Sequence, residues 1–222
     1  MQDTTIIYYS SNKEKPAFEA KIVANLLKNC GDLPIISVTH KPMDLGKNIV
    51  VGDVGASGFN MFRQVQIACR EAKTKFVISA EADCLYPPDY FTWTPPRDDV
   101  CYRNQNLYVL RFRYDCFGKK SEGATHSQII GRKYYLSVLD ALFMGAPDWS
   151  VAEKNFPKER HGKEDFVETI EYYETENPVV QIKTADSMRW HTSCSRDRIY
   201  EIPYWGTAEQ LRLTYPIKKH KL

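Results

Sequence analysis

The first part of the chain alternates between strand-like and helix-like segments, and this order limits the possible fold more than any other feature. A β-rich run over 4–9 is followed by a helical pattern that begins at Pro16 and ends at Gly31. Proline at the start and glycine at the end are typical helix boundaries. The alternation continues with strands over 33–38 and 48–51, a helix over about 60–73 and a strand over 76–80. We therefore expect a Rossmann-like α/β fold, with a mostly parallel central sheet and helices on both faces.

The second part of the chain is less regular. Prolines interrupt it after the strand over 76–80, and the pattern over 107–114 alternates like a strand. Helices are predicted over 134–143 and 164–173, and the last strands over 179–182 and 188–191. No composition shift marks a boundary, so we expect a single domain over 1–222 that ends in a basic tail, 216–222.

Charge and cysteine content argue against several classes of protein. Thirty Lys and Arg against twenty-eight Asp and Glu give a net charge of +2, whereas a protein that binds the nucleic acid backbone usually has a stronger basic bias. The six cysteines form no CxxC pair, which argues against a zinc ribbon or a redox motif. Neither a signal peptide nor an apolar run of the roughly 18 residues that span a bilayer is recognisable. We therefore expect a cytoplasmic protein without a transmembrane segment.

Polar side chains follow three of the predicted strands. Ser10, Ser11 and Asn12 come after the first strand, Asp53 after the third and Glu81-Ala82-Asp83 after the fourth. Ligands of open parallel sheets bind beyond the carboxyl ends of the strands. We therefore expect these clusters to meet at one site, where Ser10, Asn12 and Asp53 would contact the base or ribose of a nucleotide.

Glu81 and Asp83 are the candidate metal ligands. Alternate residues of an extended chain point the same way, so both carboxylates can face one site. Hard oxygen ligands of this kind suit Mg²⁺ or Mn²⁺. The alternative interpretation is an ordinary pair of acids at a loop surface or a helix cap.

These segments resemble a known family. The run 77–83, followed by 88–91, is similar to the metal-binding segment of family-two-like GT-A glycosyltransferases, where a strand runs into an aspartate-x-aspartate triplet. This chain departs from the pattern by carrying Glu81 at the first acid. The run 58–64 resembles the loop and helix start beside the nucleotide, which implies donor contacts from Gln64 and from Arg63 as a cation at the diphosphate, with a solvated surface arginine as the alternative. Glu81, in the first run, is expected to contact the donor as well. The resemblance implies a nucleotide and metal half over about 1–92 and an acceptor half over about 93–215.

Two later matches complete the resemblance. Glu164-Asp165 is similar to the pair that supplies the general base in inverting members, which implies that Asp165 is the base and that Glu164 positions it. His191 lies where many GT-A enzymes recruit a further metal ligand. For both matches a structural role is the alternative, because acids are common in the first turn of a helix and a lone histidine is often structural.

The resemblance implies a metal-dependent hexosyl- or pentosyltransferase. Its donor would be a nucleoside diphosphate sugar, and its acceptor a glycan, a protein, a lipid-linked sugar or a modified nucleobase. Two other functions stay open. Glu81, Asp83, Asp165 and His191 would also suit a metal-dependent phosphodiesterase or nuclease, and a non-catalytic module that binds a nucleotide sugar or a glycan would carry the same binding residues.

Overall fold

A computed structural model describes residues 3–152, 166–188 and 192–215. These residues form five α-helices: α1 (Pro16–Asn29), α2 (Gly58–Glu71), α3 (Pro88–Thr92), α4 (Arg132–Leu142) and α5 (Ala208–Thr214). They also form thirteen strands: β1 (Thr4–Ser10), β2 (Ile35–Thr39), β3 (Lys47–Val50), β4 (Phe76–Glu81), β5 (Cys84–Leu85), β6 (Cys101–Asn104), β7 (Leu107–Leu110), β8 (Phe117–Lys119), β9 (Gln128–Gly131), β10 (Ile170–Tyr173), β11 (Val179–Ile182), β12 (Glu201–Ile202) and β13 (Gly206–Thr207).

Seven strands form the central sheet in the order β10-β6-β9-β4-β1-β2-β3. Within it β1 pairs in parallel with both β2 and β4, whereas β9 is antiparallel to its two neighbours, β4 and β6. All seven residues of β1 are buried, as is typical of a parallel strand that is covered on both faces. The expected mostly parallel α/β sheet is confirmed.

Helices cover both faces of this sheet. Ile6 of β1 belongs to the same apolar cluster as Leu26 of α1. Its neighbour Ile7 points to the opposite face and belongs to a cluster with Phe62 of α2 and Leu139 of α4. Because successive side chains of a strand alternate between faces, β1 contributes to both cores. Strand β1 therefore connects the apolar cores on the two faces of the sheet.

A smaller sheet has the order β5-β11-β7-β8. Strand β5 follows β4 after a two-residue turn, so the turn joins the two sheets. Apolar residues of this second sheet pack with Phe18 and Ile22 of α1 and with Leu211 of α5. No helix in the described part of the chain is long and apolar enough to cross a membrane.

The predicted helix over 164–173 is wrong in its described part. Residues 170–173 form strand β10, which pairs in parallel with β6, and the β-branched and aromatic side chains of Ile170, Tyr172 and Tyr173 suit a strand. The predicted strand over 107–114 ends at Leu110. Met188 lies in a bend rather than a strand, and the other residues of the predicted 188–191 strand lie outside the described residues.

Candidate functional site

A cleft lies at the carboxyl edge of the central sheet. Its water-accessible interior measures about 120 Å³. The end of β1, the N-terminal turn of α2, the turn after β4 and the segment 186–188 form its walls. Parallel strands β1 and β4 both end here, which is the place where ligands of open α/β sheets bind.

Glu81 is held by the aromatic side chains around it. It is the last residue of β4 and lines the cleft. The Tyr9 hydroxyl donates a hydrogen bond of 2.8 Å to Glu81 Oε1. Burial, and next the neighbouring Glu81 carboxylate, raise the pKa of Tyr9 well above its usual range, so its hydroxyl remains a donor at neutral pH. The carboxylate is thereby fixed in orientation.

Asp83 lies in the turn between β4 and β5, and its side chain is only 13% exposed. The ammonium group of Lys183 lies 3.6 Å from Asp83 Oδ2. The side-chain amide of Gln181 donates to the same oxygen at 3.3 Å. A largely buried carboxylate needs such partners. Lys183 therefore balances the charge of Asp83 when no other cation is bound.

The N-terminus of α2 forms the opposite wall. The Ser57 hydroxyl caps the helix by accepting from the backbone N–H of Asn60 at 3.0 Å. The Asn60 amide donates to the carbonyls of Val54 and Gly55 at 2.7 and 2.8 Å. Gly55 has φ +81°, and a Cβ at that position would overlap Val151. These contacts hold a helix N-terminus, with its partial positive charge, against the cleft.

Glu14 is a buried carboxylic acid in the cleft wall that the sequence analysis did not identify. The Thr184 hydroxyl donates to its carboxylate, and the Ser187 hydroxyl lies 3.4 Å from Glu14 Oε1. Burial is the main cause that raises the Glu14 pKa from 4.5 to about 7, and the nearby carboxylates of Asp83 and Asp186 raise it further. A carboxyl group with this pKa exchanges a proton near neutral pH.

Four of the predicted site residues line this cleft, namely Ser10, Gln64, Glu81 and Asp83. The Gln64 amide also has a structural role, because it donates to the backbone carbonyls of Ser10 and Val38 at 3.0 and 2.8 Å. It thereby joins α2 to the ends of β1 and β2.

Three predicted residues are not among those that line the cleft: Asn12, Asp53 and Arg63. The Asn12 amide donates to Glu19 Oε2 at 3.3 Å and accepts from the backbone N–H of Lys41 at 2.8 Å. The side chain of Asp53 is 98% exposed, 3.8 Å from His40.

Arg63 lies on α2, and its side chain contacts Phe143 and Pro147, which follow α4. Its guanidinium carbon lies 4.0 Å from the centre of the Phe143 ring, and its Nη2 donates to the Pro147 carbonyl at 2.8 Å. Glu164, Asp165 and His191 lie outside the described residues, so their roles stay predictions.

Five further residues of the cleft were not predicted from the sequence, namely Tyr9, Lys13, Ser57, Asn60 and Asp186. The sequence held a signal for Lys13, and also for Glu14, because both continue the polar loop that follows β1. The sequence also held a signal for Ser57, because a serine just before a helical segment is a typical helix cap. Asp186 carried no such signal, because its position depends on contacts between distant parts of the chain.

Comparisons with known proteins give only a distant likeness. No protein-family model matches the sequence, and the search of curated proteins gave no match. Similar solved structures include TarS 1-349 from S. aureus with UDP-GlcNAc, with a TM-score of 0.46, 12% identity, and coverage of 88% of this chain and 62% of that one.

Two others are a glycosyltransferase involved in the glycosylation of the major capsid of PBCV-1 and the bifunctional IspDF from Campylobacter jejuni. Their TM-scores are 0.44 and 0.40, at 11% and 13% identity. The alignment with the PBCV-1 glycosyltransferase covers 80% of this chain and 92% of that protein. The alignment with IspDF covers 78% of this chain and 50% of that protein. The chain thus spans less than two thirds of TarS 1-349 and half of IspDF. Because the TM-scores are low, the functional interpretation rests on the residues of the cleft.

Proposed function

We propose that the cleft binds a nucleoside diphosphate sugar together with Mn²⁺ or Mg²⁺ and transfers the sugar to an acceptor hydroxyl. One observation carries the proposal. The described residues that line the cleft include four carboxylic acids, Glu14, Glu81, Asp83 and Asp186, and one lysine, Lys13. An acidic cleft of this kind repels a free diphosphate, whereas a divalent cation between carboxylate and phosphate oxygens makes the two compatible.

The residues present fit such a cation. Glu81 and Asp83 offer hard oxygen atoms on one cleft wall, and Mg²⁺ is usually held by one or two carboxylates with water and phosphate oxygens as its other ligands. The N-terminus of α2 lies on the opposite wall, and helix N-termini favour phosphate groups. A diphosphate between these walls would meet the cation on one side and the helix on the other.

The proposed reaction breaks the bond between the anomeric carbon and the diphosphate oxygen. A bound divalent cation would neutralise the charge that develops on the leaving diphosphate. Glu81 and Asp83 would hold that cation, and the Tyr9 hydroxyl would keep Glu81 oriented. Asp165 would accept the proton of the attacking hydroxyl as the new bond forms, and Glu164 would position it, with inversion at the anomeric carbon. His191 would complete the metal ligands.

The test is to identify the nucleotide product. The full chain is incubated with a panel of nucleotide sugars, pooled glycan, peptide and lipid acceptors, and Mn²⁺, and the mixture is analysed by mass spectrometry. Transfer predicts a nucleoside diphosphate and an acceptor whose mass has increased by one sugar residue. The same spectra identify the sugar, the nucleotide and the acceptor class.

The other outcomes would assign the alternative functions. A nucleoside monophosphate with a sugar phosphate would mean that the diphosphate bond itself is cleaved, as in a phosphodiesterase, and would overturn the proposal. Tight binding of a nucleotide sugar or a glycan without any product would identify a binding module. The same mixture with chelator and no Mn²⁺ is the control, and equal turnover there would overturn the metal requirement.

A further inference from the structure

A second group of potential metal ligands lies beside the turn that carries Asp83. One ligand atom each from Glu81, Cys84 and His126 lies within 4.8 Å of the other two. The side chains of Cys84 and His126 are buried, at 1% and 5% exposure, whereas Glu81 is half-buried. This group differs in chemistry from the acids of the cleft, because it offers sulfur and nitrogen besides oxygen.

His126 gives an independent indication of a ligand. Its Nε2 atom is buried and has no hydrogen-bond partner in the part of the chain that the structure describes. A buried polar atom without a partner is unfavourable. Burial, with Lys120 and Lys183 as further causes, keeps the His126 pKa well below its usual range. The ring is therefore neutral at physiological pH, and neutral imidazole is the form that binds metals.

Neighbouring hydroxyl groups hold two of the three ligands in place. The Tyr86 hydroxyl accepts from the backbone N–H of Glu81 at 3.0 Å and donates to the backbone carbonyl of His126 at 2.8 Å. The Tyr9 hydroxyl holds the Glu81 carboxylate. Metal sites usually have such outer contacts, which orient the ligands before the ion binds.

We infer that Glu81, Cys84 and His126 bind a Zn²⁺ ion. Thiolate, imidazole and carboxylate are the ligands that zinc prefers, and three protein ligands leave the fourth position of a tetrahedral site for water. Binding displaces the thiol proton of Cys84, which is released to solvent. The negative charges of the thiolate and of Glu81 then balance the ion.

Two lysines, Lys120 and Lys183, lie near this group and oppose the binding of a cation. Lys183 already pairs with Asp83, and the Lys120 ammonium group donates to the Thr192 hydroxyl at 3.1 Å. A zinc ion here would join the β4–β5 turn to His126 and would thereby fix the backbone that carries Asp83. The two sites share the Glu81 carboxylate but differ in metal preference, since Mg²⁺ and Mn²⁺ avoid thiolate ligands.

Cobalt titration of the full chain tests the inference. Co²⁺ replaces Zn²⁺ in such sites, and a cobalt–thiolate bond gives a charge-transfer band in the near ultraviolet. The expected result is a band that saturates at one equivalent of Co²⁺ and disappears when Zn²⁺ is added. The Cys84→Ala variant should lose the band, and His126→Asn should bind Co²⁺ more than about tenfold more weakly.

Cys30→Ser is the matched control, because Cys30 is another buried cysteine and should keep the band when replaced. A wild-type chain without the band, or a band that survives in Cys84→Ala, would overturn the inference. If Cys84→Ala does not fold, the wild-type titration and His126→Asn still decide the outcome. Asp83→Asn distinguishes the two sites: it should weaken Mn²⁺-dependent diphosphate binding by more than about tenfold and keep the cobalt band, so either proposal can fail alone.

Discussion

The hydroxyl of Thr184 lies 2.8 Å from one carboxylate oxygen of Glu14 and 2.7 Å from the other. Glu14 belongs to the loop after β1, whereas Thr184 follows β11. The contact therefore joins two walls of the cleft through a carboxyl group. Because the Glu14 pKa is raised to about 7, the protonation state of this contact changes within the physiological pH range.

This shift predicts a pH dependence of stability. The Glu14 carboxyl titrates near 4.5 when unperturbed and near 7 in the folded chain. Between these values the folded state binds more protons than the unfolded state, so the free energy of unfolding falls as pH rises from about 4.5 to about 7. Glu14→Gln should remove this component, which is on the order of 1–3 kcal/mol. Urea denaturation at several pH values measures it.

Glu174→Gln is a suitable control, because Glu174 is exposed and its replacement should leave the pH profile unchanged. A wild-type profile and a Glu14→Gln profile of equal slope across this pH range would contradict the prediction. They would show that Glu14 is ionised at little cost in the folded chain.

Replacing Asp83 tests the metal ligand of the proposed function. Asp83→Asn keeps the size of the side chain and removes its charge, so Mn²⁺-dependent binding of a nucleoside diphosphate should weaken by more than about tenfold. Isothermal titration with Mn²⁺ and with chelator measures the change. Asp32→Asn, at an exposed position, is the control. Equal diphosphate affinity of wild type and Asp83→Asn under both conditions would remove Asp83 from the metal site.

The ion pair between Lys183 and Asp83 predicts opposite effects of a Lys183 substitution on metal affinity and on stability. The Lys183 ammonium group lies beside the carboxylate of Asp83 and therefore repels a cation bound there. Lys183→Gln should tighten Mn²⁺ binding by about 3- to 30-fold. It should also lower the stability of the metal-free chain by about 1–3 kcal/mol, because Asp83 loses its partner in a largely buried position. Titration calorimetry and urea denaturation measure the two effects.

The control for Lys183 is Lys75→Gln, which breaks an exposed ion pair with Asp98 and should change neither quantity much. A Lys183→Gln chain that binds Mn²⁺ no more tightly than wild type would contradict a cation site at Asp83.

The first half of the fold was predictable because its signals are local. Pro16 marks the start of α1, and buried apolar runs mark β1 and β4. Strand β10 was not predictable in this way, since it is partly exposed and its pairing with β6 comes from a distant part of the chain. In such segments tertiary contacts decide between helix and strand.

The candidate site was likewise predictable only where its residues follow from local sequence signals. The positions of Glu81 and Asp83 followed from the rule that ligands bind at the carboxyl ends of parallel strands. Glu14 was missed because its burial depends on Thr184, far away in sequence. Arg63 and Gln64 are adjacent on α2, yet only Gln64 lines the cleft, since successive helical residues point about 100° apart. A helix start identified from sequence does not tell which of its residues face the ligand.

The last prediction concerns the general base. An inverting displacement needs a base on the acceptor side, within hydrogen-bond reach of the attacking hydroxyl. Asp165→Asn keeps the shape of the side chain and removes its basicity, so it should slow donor turnover by about 10²–10⁴-fold. Donor affinity should change little, because a base acts on the acceptor. Steady-state kinetics and donor titration separate the two effects, and NMR of the fresh product reports the anomeric configuration.

Glu168→Gln is the matched control for Asp165, because Glu168 is a nearby exposed acid whose loss should leave turnover unchanged. A wild-type rate in Asp165→Asn would remove Asp165 from this role while leaving the metal site intact. A product that retains the donor's configuration would be incompatible with a single displacement. It would instead require a nucleophile on the opposite face of the sugar or a front-side mechanism, and Asp165 would then not be the base of an inverting displacement.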